Sequence, residues 1–222
     1  MRPLGERLTA VMTLIPKGVR VADIGTDHGY LPISLIKSGK CEKVIACDVR
    51  EMPLANARAN IKKTATEGIE LRLGDGLSPL SPDDADYIVI AGMGGEVIAG
   101  ILAAASWIKS EKYTLLLQPM TSADALRKYL SENLFKIESE TAVGDSGKLY
   151  TVIKAVYSGF PQPTDEAFLR IGLLRADTDA ACQYIDKQIK IVKKCMDDLS
   201  AAGKLSEAEK FRSLLFEMEK RS

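Results

Sequence analysis

The chain has 222 residues, 46% of them apolar and 27% charged, which suits a globular protein with one α/β domain and a small appendage. A formal net charge of zero argues against a uniformly basic nucleic-acid-binding surface, though not against a segregated one. No run approaches the roughly 20 apolar residues of a membrane span, and no signal-peptide pattern opens the chain.

Leu4, Leu8, Val11, Met12 and Ile15 share one helical face, so an amphipathic helix is expected before the first strand, stopped by Pro16 and Gly18. Covering the sheet edge is the plainer role for this helix. A substrate contact through Arg7, on its polar face, is the sharper one. The first strand, Val19 to Asp23, breaks at Gly25, and a helical pattern with Pro32 in its first turn and Gly39 at its end follows from Tyr30. A strand, a tight glycine turn and a helix start mark the ligand-binding point of open α/β sheets.

The turn reads Asp23-x-Gly25-x-Asp27-x-Gly29. It departs from the dinucleotide pattern by carrying Asp27 where a second glycine belongs. A pyrophosphate would be repelled by that carboxylate, whereas a ligand bearing an ammonium and a sulfonium would be attracted. S-adenosylmethionine has both cations and no phosphate. The second strand, Lys43 to Asp48, ends in an acid about twenty residues past the turn, where ribose hydroxyls bind. The third, Ile69 to Leu73, leads into Gly74-Asp75-Gly76, where a carboxylate can accept an adenine amino group. Acids at three successive strand ends, in this order, make accident a poor explanation.

A helix from about Pro53 through Ile61 lies between those two strands. A fourth strand, Asp86 to Ala91, is apolar enough for burial on both faces. It is expected to end in a loop, Gly92-Met93-Gly94-Gly95, that brings backbone against a ligand. A helix, about Glu96 to Ala105, then leads to a fifth strand from Tyr113 to Gln118, followed by Pro119-Met120. Gln118 is expected at the site, holding a base edge or capping a loop. A helix from Ser122 to Leu134 precedes two late strands, Phe135 to Thr141 and Leu149 to Tyr157. Gly159 to Thr164 reads as a linker.

The rest is helical. Ile185, Ile189, Val192, Met196 and Leu199 form a coiled-coil seam, and Leu205, Ala208, Phe211, Leu215 and Met218 a second stripe after Gly203. A short antiparallel hairpin is the expected form. Lys187, Lys190 and Lys194 lie away from the seam, as a solvated face or an RNA backbone contact. Cys41, Cys47, Cys182 and Cys195 make no C-x-x-C pair and the chain has one histidine, so no metal site is expected and free thiols in a reducing cytoplasm are the simplest state.

The run Val21 to Pro32, with Ala91-Gly92-Met93-Gly94-Gly95 and Leu117-Gln118-Pro119-Met120, resembles the bacterial TrmK family of tRNA (adenine-N1)-methyltransferases acting on adenine 22. Gly29 departs from an alanine associated with the family. The resemblance spans nearly the whole chain. It implies a Rossmann-like class I S-adenosylmethionine-dependent methyltransferase domain over residues 1–158, with a seven-stranded mostly parallel sheet, and a C-terminal α-helical coiled-coil hairpin over 159–222. It implies tRNA as partner, a cytoplasmic location, and Asp23, Gly25, Asp27, His28, Asp48, Asp75, Gly76, Gly92 and Met93 as cofactor contacts. Asp27, His28 and Gln118 are the expected catalytic residues, and Tyr30, Arg7, Lys187, Lys190 and Lys194 the expected substrate contacts. His28 has a plainer alternative as cap of the following helix.

Adenine N1 is nucleophilic without a base, so positioning and nearby carboxylates would carry the catalysis. The fourth strand lacks the Asn/Asp-Pro-Pro-Tyr/Phe run of amino-group methyltransferases. It also lacks the cysteine nucleophile of cytosine C5 enzymes. A methyltransferase for a small molecule or protein uses the same cofactor site, and a non-catalytic RNA-binding module shares the fold. A nicotinamide-dependent oxidoreductase conflicts with Asp27. The oligomeric state stays open, with a monomer preferred.

Overall fold

The computed structural model describes residues 4–162 and 164–221, so Arg2, Pro163 of the expected linker and Ser222 lie outside it. Seven strands form one sheet: β1 (Val21–Ile24), β2 (Val44–Asp48), β3 (Ile69–Leu73), β4 (Tyr87–Gly94), β5 (Thr114–Thr121), β6 (Phe135–Asp145) and β7 (Lys148–Tyr157). Their order is β3-β2-β1-β4-β5-β7-β6. The first five pair in parallel, and β7 runs antiparallel to both β5 and β6. The expected seven-stranded, mostly parallel sheet is present.

Strands β1, β2 and the first part of β4 are nearly continuous β-branched and small apolar residues because both faces of the sheet are covered. Alternate residues divide between the two faces. Val21, Val89, Leu116 and Val152 pack against helices α1 (Glu6–Thr13) and α2 (Tyr30–Lys37) through Val11, Leu31 and Leu35. Ala22, Ile24, Ile88, Ile90, Leu115 and Leu117 pack on the other face against α4 (Gly95–Ala103) and α5 (Ala123–Glu132) through Ile98, Leu102, Leu126 and Leu130. Helix α1 therefore covers a face of the sheet, reaching from β5 out to the edge strand β6. Val11 is its buried position, Ile15 is buried just past its end, and the Lys40 ammonium donates to the Met12 and Ile15 carbonyls at 2.7 Å each, closing the C-terminal end.

Helix α3 (Glu51–Lys63) follows β2, and Ala57 on it packs close to Gly29. The sheet ends at Tyr157, and a short helix, α6 (Glu166–Ile171), starts with the Asp165 carboxylate accepting from the Phe168 N–H at 2.9 Å. Two long helices complete the chain, α7 (Asp179–Ala201) and α8 (Leu205–Arg221). They form the expected hairpin. The seam is buried at Ile185 and Val192, whereas Leu205 is 70% exposed at the open tip. Leu214, absent from the predicted stripe, is buried instead. The hairpin core continues into the sheet through Ala142, Leu149 and the residues of α6.

Three strand ends differ from expectation, one of them β6, which runs to Asp145 in place of Thr141. Gly92 to Gly94 is strand, not loop, and β5 continues through Pro119 to Thr121, with Met93 opposite Pro119 and Gly94 opposite Thr121. The register shifts between Ala91 and Met93, a bulge that bends the strand while it stays paired.

Candidate functional site

Strands β1, β2 and β4 end side by side. Beyond Ile24, the Gly25 and Thr26 N–H groups both donate to the Cys47 carbonyl on β2, at 2.8 and 3.0 Å. The backbone then turns through Gly25 (φ +78°), Asp27 (φ +46°) and Gly29 (φ +70°). A Cβ on Gly25 would stand 2.1 Å from Met93 Cε, the movable end of that side chain, so it is the left-handed backbone that calls for glycine here, with Met93 lying directly against it. Gly29 is the N-cap of α2 and has no side-chain cap, so His28 does not cap that helix.

The turn holds Asp27 outward, its side chain 63% exposed and 3.4 Å from His28 Nε2. The His28 ring stacks on Tyr30 at 5.2 Å, and its carbonyl accepts from Asn60 Nδ2 at 3.0 Å. Asp48, at the end of β2, is 7% exposed and its Oδ1 accepts from the Arg50 N–H at 3.0 Å. Asp75 is exposed in the turn after β3, and Gly76 beside it is left-handed, closely packed on Ile101. Gly25, Asp27, Asp48, Asp75, Gly76, Gly92 and Met93 converge on one cleft of about 360 Å³.

Asp23 stands behind that lining, 5% exposed. Burial pushes its carboxyl up to about 6, the neighbouring Asp48 charge adds to the rise, and Thr26 opposes it. A cation entering the cleft favours the ionised form of Asp23. Val49, Val97 and Ile101 form the apolar wall of the cleft, with Val49 58% and Val97 56% exposed. The residue-by-residue reading did not include them, although an apolar residue directly after the strand-end acid is a usable signal for Val49.

Gln118 lies elsewhere. It is 0% exposed, and its Oε1 accepts from Arg7 Nη1 at 2.7 Å and from the Gly92 N–H at 3.2 Å. Its amide donates to the Pro119 carbonyl at 2.8 Å. It supports the end of β4 from behind instead of reaching the cleft surface. Arg7 is tied to the same place, with Nε donating to Asp145 at 2.9 Å and its guanidinium 5.2 Å from the centre of the Tyr150 ring. Lys187, Lys190 and Lys194 are exposed along α7, beside Leu149 and Ile191, without an ion-pair partner among the described residues.

Among the described residues no group of three or more His, Cys, Asp or Glu side chains is placed to hold a metal ion, and no helix is long and apolar enough to cross a membrane.

Residues 4–153 match a family model described as a methyltransferase domain. The chain is 35% identical over 172 residues to the tRNA (adenine(22)-N(1))-methyltransferase of Bacillus subtilis (strain 168), covering 77% of this chain and 72% of that protein. The crystal structure of the B. subtilis M1A22 tRNA methyltransferase TrmK superposes with a TM-score of 0.83 at 29% identity, over 98% of this chain and 99% of that one. Streptococcus pneumoniae Sp1610 in complex with S-adenosyl-L-methionine superposes with a TM-score of 0.79 at 28% identity, over 94% and 98%.

Proposed function

The chain belongs to the TrmK family of tRNA (adenine(22)-N1)-methyltransferases, and on that premise we propose that it methylates N1 of adenine 22 in bacterial tRNA in the cytoplasm. The observation that carries this reading is the convergence of Asp27, Asp48 and Asp75 with Gly25 and Gly92 on one cleft. The residues fit S-adenosylmethionine. Gly92 has φ +81°, and a Cβ there would meet nothing nearer than 3.9 Å, so the backbone is open to a ligand. When bound, that cofactor supplies an electrophilic methyl group.

Asp48 holds the ribose hydroxyls, and Asp75 accepts from the adenine amino group against the Val49 and Val97 wall. Asp23, behind the turn, attracts the ammonium end. Asp27 faces outward from the turn, where its carboxylate stabilises the positive charge that develops on the methylated adenine ring. Adenine N1 needs no proton removed, so no general base is required of His28. The stacked His28–Tyr30 pair offers the extruded base an aromatic surface. Gln118 acts indirectly, by fixing the Gly92 N–H and the Arg7 guanidinium. Residues 1–158 are the transfer unit, and residues 159–222 grip RNA through Lys187, Lys190 and Lys194.

The test is methyl transfer from labelled S-adenosylmethionine to unmodified bacterial tRNA, with nucleoside mapping. Label in 1-methyladenosine at position 22 is expected. Transfer only to a small molecule or a protein would overturn the reading. Asp27→Ala is expected to lower kcat by about 10²-fold at saturating cofactor, in the range seen when one stabilising group is lost. Wild-type turnover in that variant would remove Asp27 from the mechanism.

A further inference from the structure

The joint between the sheet and the terminal helices contains two fully buried charges. The side chains of Arg127 on α5 and Glu140 on β6 are both 0% exposed, and Arg127 Nη2 donates to Glu140 Oε2 at 2.8 Å. Nε donates to both carboxylate oxygens, at 3.1 and 3.2 Å. Nη1 donates to the Leu169 and Arg170 carbonyls at the end of α6, at 2.8 and 3.1 Å. Glu140 also accepts from the Thr151 hydroxyl at 3.1 Å and the Leu173 N–H at 3.3 Å. Gly172 leaves the carboxylate its space, since a Cβ there would stand 2.0 Å from Oε1.

Adhesion alone does not call for this pair. Ala142, Ile171, Leu174, Ile185, Val192 and Met218 already make an apolar seam across the joint. Burying an ion pair adds little stability over an apolar replacement, whereas its forked hydrogen bonds add direction. What they direct is visible nearby. A groove of about 310 Å³ is lined by Arg127, by Tyr184 and Lys187 of α7 and by Met120 to Ser122. Ser122 in turn presses on the start of α4, because a Cβ on Gly95 would stand 2.1 Å from its carbonyl. Gly95 directly follows the glycine segment that contributes Gly92 and Met93 to the cleft.

We propose that Arg127 and Glu140 are positioning residues for the transfer reaction. They set the span between the lysine face of α7 and the cleft, so that tRNA gripped by the hairpin presents its base at the right distance. The proposal rests on the tRNA reading above.

The experiment compares Arg127→Lys, which keeps the charge but loses the fork, with Thr151→Val, which removes one hydrogen bond to Glu140 and preserves shape. Each is assayed well below its own melting temperature for the tRNA KM and for S-adenosylmethionine Kd. A tRNA KM raised about tenfold in Arg127→Lys and about threefold in Thr151→Val is expected, with cofactor Kd within about twofold, as one or two directional bonds would give. An unchanged tRNA KM in either folded variant overturns the proposal. Parallel loss of tRNA and cofactor binding also overturns it, because that marks a purely structural role. Should Arg127→Lys fail to fold, Thr151→Val decides alone. If the unsubstituted protein methylates no tRNA, the tRNA reading itself fails, and that result is independent of any variant.

Discussion

At the cleft, Asp27 after β1 and Asp75 after β3 are held out with few partners, and the backbone takes conformations that suit glycine. At the joint between α5 and β6, two charges are sealed from water and every arm is used. Asp75 has no side-chain hydrogen bond among the described residues, and Asp27 is 63% exposed beside one histidine. Glu140 accepts from Arg127, Thr151 and Leu173. The first region keeps its charges free for a ligand. The second neutralises them internally and spends their geometry on orientation. Acidic side chains in one chain thus take opposite roles, according to whether the backbone around them leaves a partner missing or supplies it.

The strongest way to break the contrast is to orphan one charge of the joint. Arg127→Met leaves Glu140 buried and unpaired, a loss of about 3–5 kcal/mol, and calorimetry should show melting lower by roughly 10 °C. Replacing both partners, as Arg127→Met with Glu140→Leu, should lose less than the single change.

At the cleft the same logic reverses sign. Asp23, with its carboxyl at about 6 in the fold and an ordinary value near 3.8 in the unfolded chain, binds its proton more tightly when folded. Stability therefore falls as pH rises from about 4 to about 6 and stays lower above, by at most about 3 kcal/mol. Asp23→Asn should stabilise the ligand-free protein at pH 7.5, as read by denaturant unfolding. Cofactor affinity should tighten as pH rises through about 6, and the Asn variant should lose that dependence in titration calorimetry.

A smaller effect is expected from Gly25→Ala. It strains a left-handed residue by about 1–2 kcal/mol and displaces Met93 from the cleft wall, so cofactor affinity should fall about tenfold. The smallest change in folding should come from converting Lys187, Lys190 and Lys194 together to Gln. Stability should move within about 0.5 kcal/mol, whereas the log–log salt slope of tRNA binding should fall by about 2–3. An unchanged slope would remove these lysines from the RNA contact.

Much of the cleft was legible because its determinants are local. Asp48 and Asp75 follow short apolar strands, and Gly25 interrupts one, so the strand ends and the acids can be located together. The hairpin was legible for a similar reason, since its seam repeats along single helices. What stayed hidden depends on partners distant in the chain. The continuation of β4 through Met93 needs β5 and a bulge to pair with it. Gln118 looked free to meet a substrate because Arg7, its partner, is 111 positions away. Nothing in the sequence around Arg127 and Glu140 marks them as a buried pair. Only the approach of α6, which brings the Leu169 and Arg170 carbonyls, makes the site a buried one.

Strand order has a consequence for how the protein is made. In the finished sheet β7 lies between β5 and β6, although the ribosome delivers β6 first. Until residues 148–157 emerge, β5 has an unpaired edge, and Leu115, Leu116 and Leu117, each 0% exposed at the end, have one neighbouring strand in place of two. Completing the sheet is therefore an insertion rather than an addition. A nascent chain that stalls after β6 carries an open strand edge, and such edges recruit other chains. The ten residues of β7 thus decide whether translation yields a closed molecule or a sticky one.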